Sequence, residues 1–485
     1  QDGSPKDAPT FIATTLKCAP QQHGVIYHTP HTLYDLHTFM ERAGYDMLGT
    51  LRCRLKSWER KPELLNAYLI LITWLPKTRE QAGPAEATDV WAFVTPKNIR
   101  EIGEAIGVWS LHNGTIGFLL SQDTSRRGEE VPIELLSPQF SLSQRAAAWL
   151  NGVAEDAQEI ATVGLGTLGS QIVINLVRGG YGKKWSLIDK DYLLPHNLAR
   201  HALSGPYVGS SKAKSLAHLI NSIFDGAPIA TPVVVDVLTP GEKEHELHRY
   251  FQEADIIADF SATVAVARHL AHGINSLARR ISLFLNPAGT ALVLLAEDKE
   301  RAIRLDCLEM QYYREVISRP ELAEHLRREE GALRYARSCR DLTATIAQDH
   351  VALLAAIGSR ALRATLADVS ASIKGWHIYP QTLSVAPLTA HPSPVTIEEK
   401  GEWRLITDRY MQDKITHLRE ESLPNETGGV LVGAFDLQRK IVYVVDTIPS
   451  PPDSVEWPAL YIRGCQGLHG QIEAVQRKTA DMLRN

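Results

Sequence analysis

The chain has little cysteine. There are five in 485 residues, scattered and odd in number. That pattern excludes a disulfide framework and fits a reducing compartment, so a cytoplasmic location is expected. None are paired as Cys-x-x-Cys, which excludes a structural zinc of the thiolate kind. No apolar run reaches the roughly 18 residues of a membrane span, and no membrane partner is expected. Neither sign of charge dominates. The net charge is −5, which gives no electrostatic reason to expect a nucleic-acid partner. No secretory leader is legible at Gln1, and a start upstream of it is expected. What remains is ordinary globular composition, 44% hydrophobic and 22% charged, with length for about three domains.

The chain is organised around one stretch. Ile160 to Val163 reads as a short apolar strand. The turn Gly164-Leu-Gly166-Thr-Leu-Gly169 follows, then an apolar-periodic helix from Gln171 to Val177. A second strand, Trp185 to Ile188, ends on Asp189. Glycines let a backbone approach a phosphate, and a helix N-terminus meets its charge. The acid closing the second strand can accept from a ribose hydroxyl. Asp191, Asn197, Arg200 and Lys212 follow. A further strand from Ile256 ends on Asp259, a candidate magnesium ligand beside phosphate oxygens. The glycine pattern alone leaves an NAD-dependent dehydrogenase open. The two later cations, Arg200 and Lys212, suit a triphosphate better.

From about residue 159 to 297 these motifs resemble the adenylating domain (ThiF-type) shared by ubiquitin-activating enzymes and the thiamine and molybdopterin biosynthesis adenylyltransferases. The resemblance implies an α/β, Rossmann-like domain with a mostly parallel sheet. It implies ATP and Mg2+ as cofactors, with Asp189 on the ribose, Asn197 and Arg200 on the nucleotide, Lys212 on phosphate and Asp259 on magnesium. It also implies a ubiquitin-like protein partner, a conjugating-enzyme-like protein partner and a homodimer. One position departs from the family: His201 stands where Gln is usual.

Two cysteines follow the adenylating core. Cys307 has Asp306 and Glu309 beside it, which disfavour a thiolate. Cys339 has Arg337 and Arg340, which favour one. The apolar-periodic run Thr343 to Leu362 would place Cys339 at a helix N-terminus, with the same effect. By analogy with ubiquitin-activating enzymes, Cys339 is the expected thioester residue.

Residues 1–140 read as a small α+β domain with antiparallel strands. Thr32 to Ala43 and Lys97 to Ile106 are expected helices; Tyr68 to Trp74 and Val90 to Val94 are expected strands. In bacterial fusions such a domain is often conjugating-enzyme-like. Cys18 and Cys53 both read as buried structural thiols. Residues 141–385 form the expected adenylating domain with its cysteine-bearing helical insertion, 386–397 a Pro- and Ser-containing linker, and 398–485 an incomplete third domain of α+β type. There, Trp403 to Leu418 reads as a helix and its entry. Glu426-Thr-Gly428-Gly429-Val-Leu-Val-Gly433 resembles the start of JAB/JAMM metalloproteases, in which the glutamate activates a zinc-bound water. No His-x-His follows Glu426, so Zn2+ is expected only if ligands lie outside the 485 residues. His469 stands alone and reads as a surface or helix-capping residue rather than a ligand. The combination resembles bacterial ubiquitin-like conjugation systems, some tied to antiphage defence. The expected function is ATP-dependent adenylation of a ubiquitin-like C-terminus, followed by thioester formation. A sulfur-carrier adenylyltransferase without the thioester step, or a non-catalytic scaffold, remains open.

Overall fold

The computed structural model describes residues 9–22, 28–79, 83–113, 115–119, 121–327, 333–334, 342–343 and 345–484. The chain divides into two compact units, Gln1–Phe140 and Ser141–Asn485.

The first unit is built on strand Tyr68–Thr78. It pairs antiparallel with Ala87–Asn98, which pairs antiparallel with Glu134–Leu136. Phe11–Lys17 lies on its other side, in parallel and not antiparallel as expected. Helices Leu33–Arg42 and Met47–Trp58 lie between the two strands in sequence. They form the crossover that brings the chain back in the same direction, which a tight turn cannot do. Thr32 and Asp35 close a capping box at the first helix, satisfying donors that a bare helix start leaves open. Cys18 is buried, but Cys53 is exposed. Its helix turns Leu51, Arg52 and Leu55 inward, which leaves position 53 facing outward.

The second unit begins with helix Gln144–Leu150. It then alternates β1 (Glu159–Val163), α1 (Thr167–Arg178), β2 (Lys184–Ile188), α2 (Lys212–Ile223), β3 (Ala230–Val233), α3 (Glu244–Glu253), β4 (Ile256–Asp259), α4 (Val264–His272) and β5 (Arg279–Leu285). β6 (Ala291–Ala296), α5 (Leu305–Ser318), α6 (Gln348–Leu366), β7 (Ser372–Tyr379) and β8 (Ser384–Ala390) complete the layer. The sheet order is β3-β2-β1-β4-β5-β6-β7-β8. β3 through β5 are parallel, and β6, β7 and β8 are added antiparallel. The strand order reverses between β1 and β4. The crevice at their carboxyl ends is where open α/β sheets bind ligands.

Two expectations are corrected here. Residues 386–397 are not a linker. Ala386 to Ala390 pair with β7, and Val395 opens β9 (Val395–Lys400). Pro387 is tolerated because β8 is an edge strand. The helix expected just after Cys339 opens instead at Gln348, and its first buried position is Val351. Leu342–Thr343 pairs as a strand with Leu333–Arg334. Cys339, Arg337 and Arg340 lie outside the described residues.

β10 (Trp403–Asp408), α7 (Arg409–Ser422), β11 (Gly429–Asp436) and β12 (Ile441–Pro449) follow β9, in a sheet ordered β9-β10-β12-β11. This sheet shares one apolar core with the larger one. α5 is buried along most of its length, with Val293 and Leu295 in the same core as Ile406, Val432 and Tyr443. Among the described residues, no helix is long and apolar enough to cross a membrane.

Candidate active site

The three glycines of the turn do three different things. Gly164 has φ +87°, and a Cβ there would lie 2.7 Å from the Ser261 backbone. A Cβ on Gly169 would lie 2.2 Å from the Gly164 carbonyl oxygen. Both glycines let β1, α1 and the segment after β4 pack closely. Gly166 is the N-cap of α1, with no side-chain cap, and a Cβ there meets nothing within 4 Å. The first N–H groups of a helix have no partner inside it. The N-cap Gly166 lines a cavity of about 250 Å3 together with Gly164, Asp189, Asp191, Lys212 and Ser261, among others.

Asp189 leaves β2 at its carboxyl end. Its carboxylate accepts from the N–H of Leu165 at 2.6 Å and of Asp191 at 2.7 Å. Burial raises its pKa, and the Lys212 charge opposes that rise. Among the described residues each oxygen accepts this one hydrogen bond, which leaves a lone pair for a hydroxyl donor. Lys212 opens α2, is buried, and lies 3.4 Å from Asp191.

Asp259 ends β4 and is 1% exposed. It accepts from the Ser261 N–H at 2.9 Å and the Ser282 hydroxyl at 3.0 Å. Burial raises its pKa, and these hydrogen bonds only partly offset it. Its chain neighbours Phe260 and Ser261 line the cavity, but Asp259 itself does not.

Asn197 and Arg200 are not in the cavity wall. The Asn197 side chain accepts from the Leu194 N–H at 2.9 Å and holds the short turn Pro195–Ala199. The Arg200 guanidinium donates to the Ile346 carbonyl at 3.1 Å. Gly169 lies behind the loop. The structure thus gathers Gly164, Gly166, Asp189 and Lys212 around the cavity, with Asp259 next in the chain to the lining residues Phe260 and Ser261.

The apolar run Val233 to Val237 has the pattern of a strand, but β3 ends at Val233. Val235, Asp236, Val237 and Leu238 run on past the sheet edge and close the cavity. Their apolar alternation is the same signal a strand gives. Ser282 on β5 carries no sequence signal; only the parallel register with β4 brings it beside Asp259.

Cys307 is buried, and burial, with Asp306 adding, pushes its thiol pKa well above the ordinary range. Glu426 is exposed and precedes β11, with its N–H donating to the Trp457 carbonyl at 2.9 Å. The adjacent Thr427 and Gly428 line a groove of about 790 Å3 with Pro449, Glu456 and Trp457. Among the described residues, no group of three His, Cys, Asp or Glu could hold a metal ion. His469 is exposed, 3.1 Å from Glu473.

Residues 154–279 match the ThiF family. The chain is 30% identical over 155 residues to the ATP-dependent ubiquitin transferase-like protein Cap2 of Pseudomonas aeruginosa; the match covers 31% of this chain and 26% of that protein. Against the protein of the same name from Vibrio cholerae it is 32% identical over 118 residues, 24% of this chain and 19% of that protein. The chain therefore spans about a quarter or less of the relatives it matches. Among solved structures, Escherichia coli MccB with ATP superposes with a TM-score of 0.34 at 14% identity, covering 49% of this chain and 65% of that one. PaaA superposes with a TM-score of 0.33 at 13% identity, covering 48% and 64%. These superpositions are too distant to bear on function.

Proposed function

We propose that the larger sheet of the second unit carries an ATP-dependent enzyme that adenylates the C-terminal carboxylate of a ubiquitin-like protein. The observation that carries this reading is the uncapped N-terminus of α1, whose N-cap Gly166 lines a cavity with Lys212 and Asp189 in its walls. The ThiF match over residues 154–279 and the printed name of the relatives support the same reading.

A carboxylate oxygen of the carrier attacks the α-phosphorus, the bond to the β-phosphate oxygen breaks, and pyrophosphate leaves. The α1 N–H groups and Lys212 bear the charge that develops on the phosphates. Asp189 uses its free lone pairs on the ribose. Arg200 reaches the nucleotide only by leaving the Ile346 carbonyl, and Asn197 acts by holding the turn that carries Arg200. Asp259 would hold a magnesium ion: it is a buried carboxylate that no cation pairs with among the described residues, and its bonds to Ser261 and Ser282 leave acceptor capacity over. Magnesium takes one or two carboxylates and completes its shell with phosphate and water, supplying positive charge to the phosphates.

In the second step the Cys339 thiolate attacks the acyl carbon and AMP leaves. An ordinary thiol, with a pKa of about 8.5, is only a few per cent ionised at pH 7, and Arg337 and Arg340 flank this one. Its position after the adenylating core and the two arginines that flank it favour it over Cys307, whose thiol is buried. The thioester then passes to a conjugating-enzyme-like protein, the first unit being the candidate within this chain. The reading includes a homodimer in the cytoplasm. Glu426, beside its groove, marks a JAMM-like domain that takes zinc only from ligands beyond those described. The test is a thiol-sensitive adduct between the protein and its carrier. Cys339→Ala should lose the adduct and keep pyrophosphate exchange. Exchange without an adduct in the unmutated protein would favour the sulfur-carrier type instead.

A further inference from the structure

The glycine turn is held by two side chains from opposite directions. The Leu165 N–H donates to Asp189 at 2.6 Å. The Leu165 carbonyl lies 2.7 Å from His201 Nε2. The tautomer follows from the second nitrogen. The Leu203 N–H donates to His201 Nδ1 at 3.1 Å, so Nδ1 is the acceptor. Nε2 therefore carries the proton and donates to Leu165. His201 is 9% exposed. Burial lowers its pKa to about 4, and the Lys212 charge adds to that effect, which keeps the ring neutral so that Nδ1 can accept while Nε2 donates. The same segment is tied to α1 directly, since the Ala202 N–H donates to the Ser170 hydroxyl at 3.2 Å.

We propose that His201 is a positioning residue: with Asp189 it clamps Leu165 and holds Gly164 to Gly169 in the phosphate-receiving conformation before any nucleotide arrives. His201 touches neither the cavity nor its contents. It acts through Leu165, and it couples the turn that carries Asn197 and Arg200 to the loop that receives phosphate. The departure from Gln at this position is then no loss of function. Glutamine's amide nitrogen sits where histidine's Nε2 does, and either can donate to the Leu165 carbonyl. The identity of the ligand as ATP rests on the reading above; the clamp does not.

The two histidine bonds can be separated by substitution. His201→Gln keeps a donor at the ε position and so keeps the bond to Leu165. His201→Asn keeps an acceptor at the δ position, and so the bond from Leu203, but leaves the Leu165 carbonyl without its donor. Amide hydrogen exchange across residues 164–169, measured on the full chain without nucleotide, reads the clamp itself. Exchange should quicken in His201→Asn and stay at the wild-type rate in His201→Gln. ATP affinity by calorimetry should fall roughly tenfold in the asparagine variant and stay within about twofold in the glutamine variant, the scale of one buried hydrogen bond. A purely structural role for the ring would move both variants together, and equal exchange in the two would overturn the clamp. If exchange splits as stated while the wild-type chain binds no ATP, the clamp stands and the nucleotide reading falls.

Discussion

At the scale of single residues, the glycines show how one motif mixes separate demands. Gly164 and Gly169 are required by packing, Gly166 by access. Alanine at each should separate them. Gly164→Ala forces a side chain into a left-handed backbone, a strain of about 1–3 kcal/mol before its clash with Ser261 is counted. Gly169→Ala overpacks a tight contact for a similar cost of about 1–3 kcal/mol. Both should lower the thermal midpoint. Gly166→Ala should melt with the wild type, because its Cβ enters open space, yet lose ATP binding, because that space is the cradle. Thermal unfolding and ATP titration of the three variants check this, and a Gly166→Ala chain that binds ATP normally would remove the cradle. These residues were legible because their chemistry is local: a glycine turn, an acid ending a strand, a lysine opening a helix. Arg200 and Asn197 were legible as a motif but not in place. The resemblance names them as nucleotide contacts; the packing turns one to the Ile346 carbonyl and the other to its own turn.

At the scale of elements, α5 joins the two sheets of the second unit. Its Arg314 pairs with Asp408 at 2.8 Å, both side chains buried. Asp408 also caps α7 by accepting from the Met411 N–H at 2.9 Å. Asp408→Ala therefore removes a cap and leaves a buried guanidinium unpaired, which should destabilise by about 3–5 kcal/mol. Arg314→Met with Asp408→Asn should recover most of that loss, since neither buried charge is then left alone. Denaturant unfolding of the single and double variants measures it; a double variant no better than Asp408→Ala would show that the pair is not the cause. The parallel half of the larger sheet was legible from strand and helix alternation. Its antiparallel extension was not. Pro387 and the polar residues around it look like a linker, because edge-strand residues face few of the constraints that write apolar periodicity into a sequence. The start of α6 was misplaced for the converse reason: Leu342 and Ile346 continue the apolar rhythm before the helix begins.

At the scale of the whole molecule, the first unit has its own core around Leu36, Leu51, Leu71 and Phe93. Residues 1–140 and 141–485, produced separately, should each give a cooperative thermal transition. Residues 141–390 should not, because removing the C-terminal sheet uncovers Leu308, Val316 and their neighbours on α5. A cooperative melt for 141–390 would show that the two sheets do not depend on one another. The central claim is adenylation, and ATP–pyrophosphate exchange tests it most directly. With a ubiquitin-like carrier present, labelled pyrophosphate should enter ATP at a rate that depends on the carrier's free C-terminus. The rate should fall at least roughly a hundredfold in Lys212→Ala, the scale set by removing one preorganised charge from a phosphate site. Label entering ATP equally fast in Lys212→Ala, or never entering it while the chain binds NAD, would contradict the account.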